Sequence, residues 1–234
     1  MLGYESQALL NLIITKGNMN KIKTMLCTIV AIFGFTSVSN SASLNGLYLE
    51  AGTSAAGVAI DGSATDTGSN STTVGSVGET FASVSYGLGY MTDRSRKVGL
   101  DVGYMWIPGE AKLKRTSDTT GSDVTFEISD STEYYFAPMV NITEDASLYI
   151  KFGYNDSDVK TTGDVRKITS MDGETIAIGT VMSWGSNLFI RTEAGMTEYD
   201  KLTSEGLGTT IGTDESVSAT PEVHYGKIAI GYKF

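Results

Sequence analysis

From Leu44 to the carboxyl terminus, apolar side chains recur at every second position in a series of short runs. Such alternation is typical of β-strands with one apolar face, and no stretch sustains a helical period. The closing run GKIAIGYKF shows it most clearly, because isoleucine, tyrosine and phenylalanine alternate with glycine, alanine and lysine. We predict about eight strands, starting near Asn45, Phe81, Val98, Tyr134, Leu148, Ile176, Leu188 and Gly226.

The connections between these predicted strands alternate between long and short. Polar stretches cover about 61–79, 109–131, 155–173 and 199–220, whereas the turns at 92–96, 143–146 and 184–187 are tight. In an antiparallel meander every second connection lies at the same end, so one end gathers the long connections. The pattern predicts an all-β fold: a single antiparallel up-and-down transmembrane β-barrel with long extracellular loops and short periplasmic turns. Segment 62–76, rich in Ser, Thr and Gly, is predicted to be a mobile loop tip.

A soluble up-and-down barrel with its apolar side chains inside would show the same alternation. Two observations favour the membrane barrel. The face opposite the apolar one carries a few charges of both signs among many glycines, which suits pairing inside a narrow lumen; the predicted lumen charges are Glu50, Asp101, Glu133, Lys151, Arg191, Glu193 and Lys227. Aromatic residues also collect near strand ends, as in interfacial girdles; the predicted girdle consists of Tyr90, Tyr104, Trp106, Tyr154, Trp184, Tyr232 and Phe234.

The composition narrows the range of partners. A formal net charge of −10 argues against nucleic acid, which requires a basic surface. Carboxylates cluster at 156–158, 172–174 and 214–215, yet none has the spacing of an EF-hand, so we expect solvated acidic surface and no metal site. We expect no cofactor.

The first forty residues resemble a targeting segment. A basic stretch at 21–23 precedes an apolar run at 25–35 and then small residues, which is the order of a secretory signal peptide. Met19 begins this pattern better than Met1 does. We therefore predict a non-native upstream extension at 1–18, a signal peptide at 19–42 and an outer-membrane barrel domain at 43–234. The one cysteine, Cys27, would be removed with the signal peptide. An uncleaved membrane anchor is the alternative.

The alternating apolar residues that lead to the terminal aromatic resemble the carboxyl-terminal signature of Gram-negative outer-membrane β-barrels. The resemblance implies that Ile228, Ile230, Tyr232 and Phe234 form the signal read by the barrel assembly machinery. Among such proteins the chain is similar to the small eight-stranded class: the OmpA-type transmembrane domain, OmpX and the opacity-type surface proteins. The resemblance is architectural and covers the predicted mature chain. It implies contact with outer-membrane lipid and lipopolysaccharide, an unknown extracellular ligand at the loops and a monomeric state.

We expect a structural, surface-display or adhesion role, with a narrow ion channel or small porin as the alternative. A lipid A-modifying enzyme is a further hypothesis, because some small outer-membrane barrels are enzymes. A resemblance to such enzymes would imply a histidine and a serine with a carboxylate, or a set of aspartate and histidine, near the outer rim. The only histidine, His224, has no serine two residues beyond it, and its period places it on the lipid-facing side. We therefore expect an interfacial side chain at His224 and no catalytic residue.

Overall fold

The computed structural model describes residues 46–66, 71–92, 97–115, 124–162, 167–205 and 215–234. The predicted extension and signal peptide lie outside these residues. The described chain forms nine strands: β1 Leu47–Asp66, β2 Ser71–Met91, β3 Val98–Arg115, β4 Val124–Asn141, β5 Ala146–Thr162, β6 Ser170–Trp184, β7 Leu188–Tyr199, β8 Leu202–Glu205 and β9 Glu215–Lys233. Nowhere in these ranges is there a helix long and apolar enough to cross a bilayer.

The strands close into an antiparallel up-and-down barrel, as predicted. Consecutive strands pair from β1 to β7, β7 pairs with β9, and β9 pairs with β1. The short β8 pairs with β9 just beyond the end of β7, so eight strands form the wall at membrane level. Following paired residues once around the wall from Leu49 leads back to Ala59 of β1. Such a stagger corresponds to strands tilted by about 40° from the barrel axis.

The strands are longer than the sequence pattern predicted. β1 has 20 residues and β2 has 21, whereas a tilted strand crosses a bilayer with about 9–11. The two strands stay paired as far as Asp66 and Ser71, so most of segment 62–76 lies in a hairpin rather than in a loop tip. Much of 109–131, 155–173 and 199–220 is strand as well. Sequence alternation missed these parts because Ser, Thr, Gly and Asp occupy both faces once both faces meet water.

At the end of the barrel opposite the long β1–β2 hairpin, both described turns are short. Residues 142–145 link β4 to β5, where the Ile142 amide donates to the Ala146 carbonyl at 2.9 Å. Gly185, with φ of 78°, sits in the turn between β6 and β7, a conformation that side chains other than glycine rarely adopt. The start of β1 and the carboxyl terminus meet at this end, because the Phe234 amide donates to the Leu47 carbonyl at 2.9 Å.

The wall is continuous at one end of the barrel and interrupted at the other. β2 and β3 pair from Met91/Asp101 to Tyr86/Trp106, and in the described residues no pairing joins them beyond that point. Just past it, the register between β3 and β4 shifts between Ile107 and Glu110. Pro108 offers no backbone donor there, and Gly109 has φ of 137°. This bulge therefore lies next to the point where β3 leaves β2.

Candidate functional site in the barrel lumen

The structure brings all seven predicted lumen charges together inside the barrel. They lie between its middle and the short-turn end, which is called the lower end below; the end with the long β1–β2 hairpin is the upper end. The charges alternate with outward-facing apolar residues on β1, β3, β4, β5, β7 and β9. Arg191, Asp101 and Lys151 have no solvent exposure, and Glu50, Glu133, Glu193 and Lys227 are also buried. Four carboxylates therefore share the lumen with three cations.

Arg191 lies at the centre of the lower half of this network. Its Nε lies 2.8 Å from Glu50 Oε2, and its Nη2 lies 2.7 Å from Asp101 Oδ2. The Tyr48 hydroxyl donates to Asp101 at 2.8 Å and pairs with the Tyr135 hydroxyl. The guanidinium therefore joins carboxylates from β1 and β3 across the lumen to β7.

Lys151 lies at the centre of the upper half. Its Nζ lies 2.6 Å from Glu193 Oε1 and 2.9 Å from Glu133 Oε1. Glu193 also accepts hydrogen bonds from the hydroxyls of Tyr149, at 2.6 Å, and Tyr225, at 2.8 Å. These contacts link β4, β5, β7 and β9.

Lys227, on β9, is the third buried cation of the network. Its Nζ lies 3.1 Å from Glu50 Oε1 and donates to the Met105 sulfur at 3.4 Å. Since Glu50 also binds Arg191, one carboxylate bridges two cations. Each of the seven buried charges thus has an opposite charge within 3.1 Å, which offsets the desolvation cost of several kcal/mol that each ion carries.

Aromatic rings surround the two central cations. Arg191 Cζ lies 5.3 Å from the Tyr149 ring centroid and 5.5 Å from that of Tyr48. Lys151 Nζ lies 5.4 Å from the Tyr135 centroid and 5.5 Å from that of Tyr225. Ring faces attract cations, most strongly where water is excluded. Each of these four tyrosines shares the period of the charge on its strand, which is the signal that could have placed it in the network.

An apolar cluster closes the lumen at the short-turn end. Met91, Met139, Val181 and Phe189 are buried there against Tyr48, Tyr135, Ala137 and Tyr149. Eight-stranded barrels are just wide enough for side chains to fill. Buried apolar and charged side chains therefore occupy the lumen from the carboxyl-terminal end up to Lys227 and Glu133.

Above the charges lies a cavity of about 100 Å³. Glu133, Asn155, Tyr225 and Lys227 are among its walls on the network side. Farther up, a second apolar cluster fills the barrel, comprising Val58, Ala111, Ile128, Val159, Met171 and Tyr199. The cavity thus lies between a charged layer and an apolar one.

Glu110 lines the same cavity and is held by an ion pair at the barrel surface. Lys112 Nζ lies 2.9 Å from Glu110 and 3.5 Å from Glu127. The hydrogen bond and positive charge of Lys112 lower the pKa of the Glu110 carboxyl. Glu110 therefore already has a cationic partner.

Six of the seven predicted girdle residues are exposed on the outer surface, with exposed fractions from 36% at Tyr104 to 64% at Trp184. Tyr154 differs, since it is only 6% exposed although its position alternates outward. Tyr90, Trp184, Tyr232 and Phe234 lie toward the short-turn end, and Tyr104 and Trp106 lie toward the other. The four residues of the predicted assembly signal all face outward, 46–54% exposed.

The outer surface between these aromatics is apolar. Its exposed residues include Leu49, Val84, Leu88, Leu148, Ile150, Ile176, Ile178, Ile228 and Ile230. Soluble monomers rarely expose contiguous apolar surface of more than a few hundred Å², so this belt indicates contact with lipid.

His224 lies on the outer surface, away from the lumen. Its side chain is 62% exposed, and its Nε2 lies 2.7 Å from Glu222 Oε1. Both residues alternate outward with Ile228 and Ile230 on β9. Among the described residues, no group of three or more His, Cys, Asp or Glu side chains is arranged to hold a metal ion.

The chain forms a closed antiparallel barrel with an apolar outer belt, aromatic residues at both edges of that belt and a charged lumen. These features define a transmembrane β-barrel of the outer-membrane class. Neither a protein-family model nor a curated protein sequence matches the chain.

Solved structures resemble the chain at low sequence identity. The outer membrane protein OprG from Pseudomonas aeruginosa is 16% identical, with a TM-score of 0.49 over 81% of this chain and 96% of that one. The outer membrane protease OmpT from Escherichia coli is 6% identical, with a TM-score of 0.46 over 84% and 99%. Ail of Yersinia pestis, solved with the heparin analogue sucrose octasulfate, is 13% identical, with a TM-score of 0.39 over 79% and 99%.

Proposed function

We propose that this barrel anchors a protruding β-sheet at the cell surface for surface display or adhesion. The observation that carries the proposal is the length of the paired strands. β1 remains paired with β2 and β9 out to Asp66, and β8 adds a further strand at Leu202–Glu205. This sheet extends well past Tyr86 and Trp106, where the upper aromatic residues lie.

The protruding sheet has a feature that suits binding. Along β2, the edge that faces β3 has no partner among the described residues from Ser71 to Ser85. An unpaired strand edge offers a row of backbone donors and acceptors to an extended peptide. Ser71–Ser85 contains no Lys, Arg or Pro, the residues that commonly protect such edges. An extended segment of a surface-exposed partner protein therefore fits this edge.

The filled lumen supports this role over that of a channel. Arg191 and Lys151 are fully buried at its centre, and both bind carboxylates from other strands. A conducting path would require these pairs to separate. The outward position of His224 gives no support to an enzyme. Binding of lipopolysaccharide and recognition by the assembly machinery stay predictions.

Shortening the hairpin tests the proposal. Ala59 pairs with Gly78, so replacing residues 60–77 by Asn-Gly removes the protruding part of β1 and β2 in register. Bacteria that express the full chain should adhere to surfaces coated with fibronectin, laminin or collagen better than bacteria that express the shortened chain.

A matched variant replaces residues 113–126 by Asn-Gly, because Lys112 pairs with Glu127. This variant should retain adherence, and heat-modifiable gel migration would show that each barrel is folded. Equal adherence of the full and shortened chains on all three coatings would contradict the proposal.

A further inference from the structure

The gap between β2 and β3 leads into the cavity above the charges. Residues on both sides of the gap line the cavity: Phe81, Ala82 and Ser83 from β2, and Ile107, Pro108 and Gly109 from β3. Its volume of about 100 Å³ corresponds to roughly three water molecules at the density of liquid water. The cavity can therefore hold a molecule of a few non-hydrogen atoms, and the broken wall gives that molecule a way in.

The gap is built into the backbone. The bulge at Pro108 and Gly109 lies on β3, and a second register shift follows on β4 between Ser129 and Thr132. Asp130, inside that second shift, has φ of 43°, which is unusual for a residue other than glycine. The two adjacent bulges lie just past the point where the pairing of β3 with β2 ends. Bulges of this kind occur preferentially at barrel rims and next to binding sites.

The two sides of the cavity differ in polarity. Ser54, Ser83, Ser85 and Ser131 supply hydroxyl groups to its walls, together with the polar groups of the charged layer. Phe81, Ile107, Ile128, Tyr199 and Val223 supply apolar surface on the other side. A molecule with one polar end and a short apolar body matches this division.

The charges set the sign of that polar end. Glu193 is satisfied by Lys151 and two tyrosine hydroxyls. Glu133 contacts the same lysine through both of its oxygens, and no hydroxyl group among the described residues donates to it. Lys227 is engaged with Glu50, and Glu110 with Lys112. The excess carboxylate of the network therefore lies at Glu133, in the cavity wall.

We infer that this cavity binds a small organic cation, an ammonium group on a short apolar body, which enters through the gap between β2 and β3. The ammonium group binds on the Glu133 side, and the apolar body contacts Ile107, Ile128 and Val223. An anionic molecule of the same size is disfavoured, because its charge would lie beside Glu133.

The test uses the full chain in lipid nanodiscs. Cys27 is replaced by serine, so that a single introduced cysteine is the only thiol that the labelling reagent can modify. Ser83→Cys places a thiol in the cavity wall, and Thr80→Cys places one on the exposed outer face of the same strand. Methyl methanethiosulfonate labels each thiol in the presence of butylammonium, butanol or butyrate. Butylammonium should slow labelling of Ser83→Cys at least fivefold, butanol should slow it less, and butyrate should leave it unchanged. Labelling of Thr80→Cys should be insensitive to all three.

Two variants keep the proposal falsifiable. Glu133→Gln should raise the butylammonium concentration needed for half-maximal protection at least tenfold, whereas Glu222→Gln, on the outer surface, should not. Ala56→Phe places a ring in the cavity, leaves every charged residue in the sequence, and should abolish protection. Equal protection by all three compounds, no protection by butylammonium, or unchanged protection in Glu133→Gln or Ala56→Phe would overturn the inference.

Discussion

The lower and upper halves of the barrel differ in how the wall is paired and in how the lumen is filled. In the lower half, the wall is paired all the way around, and fully buried side chains such as Arg191 and Asp101 fill the lumen. In the upper half, the pairing between β2 and β3 is missing, and small residues such as Ser83 and Ala56 leave a cavity. A continuous wall thus accompanies a filled lumen, and a broken wall accompanies an accessible one.

The difference predicts where stability resides. Removing one partner from a buried ion pair leaves an uncompensated charge, which is costly, whereas groups in contact with water lose little. The lower lumen should therefore determine the free energy of unfolding. The protruding sheet should tolerate substitution.

The largest effect is expected at the centre of the lower lumen. Arg191→Met leaves Glu50 and Asp101 buried without their guanidinium, so the free energy of unfolding should fall by about 3–5 kcal/mol. Urea titration of the barrel in lipid vesicles measures this. Lys112→Met removes an exposed ion pair and should leave the urea midpoint unchanged. Equal shifts in the two variants would contradict a stability centred on the lumen.

An intermediate effect is expected from packing on β9. A Cβ at Gly231 would overlap the Phe189 ring inside the barrel, whereas a Cβ at Gly226 would have nothing within 4 Å. Gly231→Ala should therefore destabilise the barrel by about 1–3 kcal/mol through overpacking. Gly226→Ala, on the outward face, should cost much less in the same titration. If the order of the two variants were reversed, the assignment of inner and outer faces on β9 would be wrong.

The smallest effect is expected in the protruding sheet. Ser63 and Ser218 pair through their hydroxyls at 3.0 Å between β1 and β9. Because water can replace either partner, Ser63→Ala should change the free energy of unfolding by no more than about 0.5 kcal/mol. A loss comparable to that of Gly231→Ala would show that the sheet is coupled to the barrel core.

Much of the lower barrel could be predicted from the sequence. Each strand there has water or lipid on one side and the lumen on the other, so alternation separates Ile228 and Ile230 from Lys227. The inward position of all seven charges follows from the same period. Which charge binds which, however, depends on register: Arg191 meets Asp101 ninety residues away in the chain.

The upper barrel was harder to predict, because the alternation that marks a strand requires two faces in different environments. Where both faces of a strand meet water, Ser, Thr and Gly carry no period, so the ends of β1 and β2 looked like loops. The gap beside Pro108 and Gly109 had only a weak signal, because a Pro-Gly pair equally indicates a turn. The low exposure of Tyr154, an outward residue on β5, depends on the side chains around it, so the alternation of the sequence could not predict it.

The central claim is that lipid lies outside the barrel and the charges lie inside it. Measuring the lipid exposure of neighbouring residues on one strand tests this most directly. In a Cys27→Ser background, single cysteines at Ala177, Ile178, Ala229 and Ile230 would carry spin labels in a lipid bilayer. The structure predicts frequent collision with oxygen at Ile178 and Ile230, and shielding from both oxygen and a water-soluble nickel chelate at Ala177 and Ala229. Shielded labels at Ile178 and Ile230, with exposed labels at Ala177 and Ala229, would contradict a barrel that has lipid outside and charges inside.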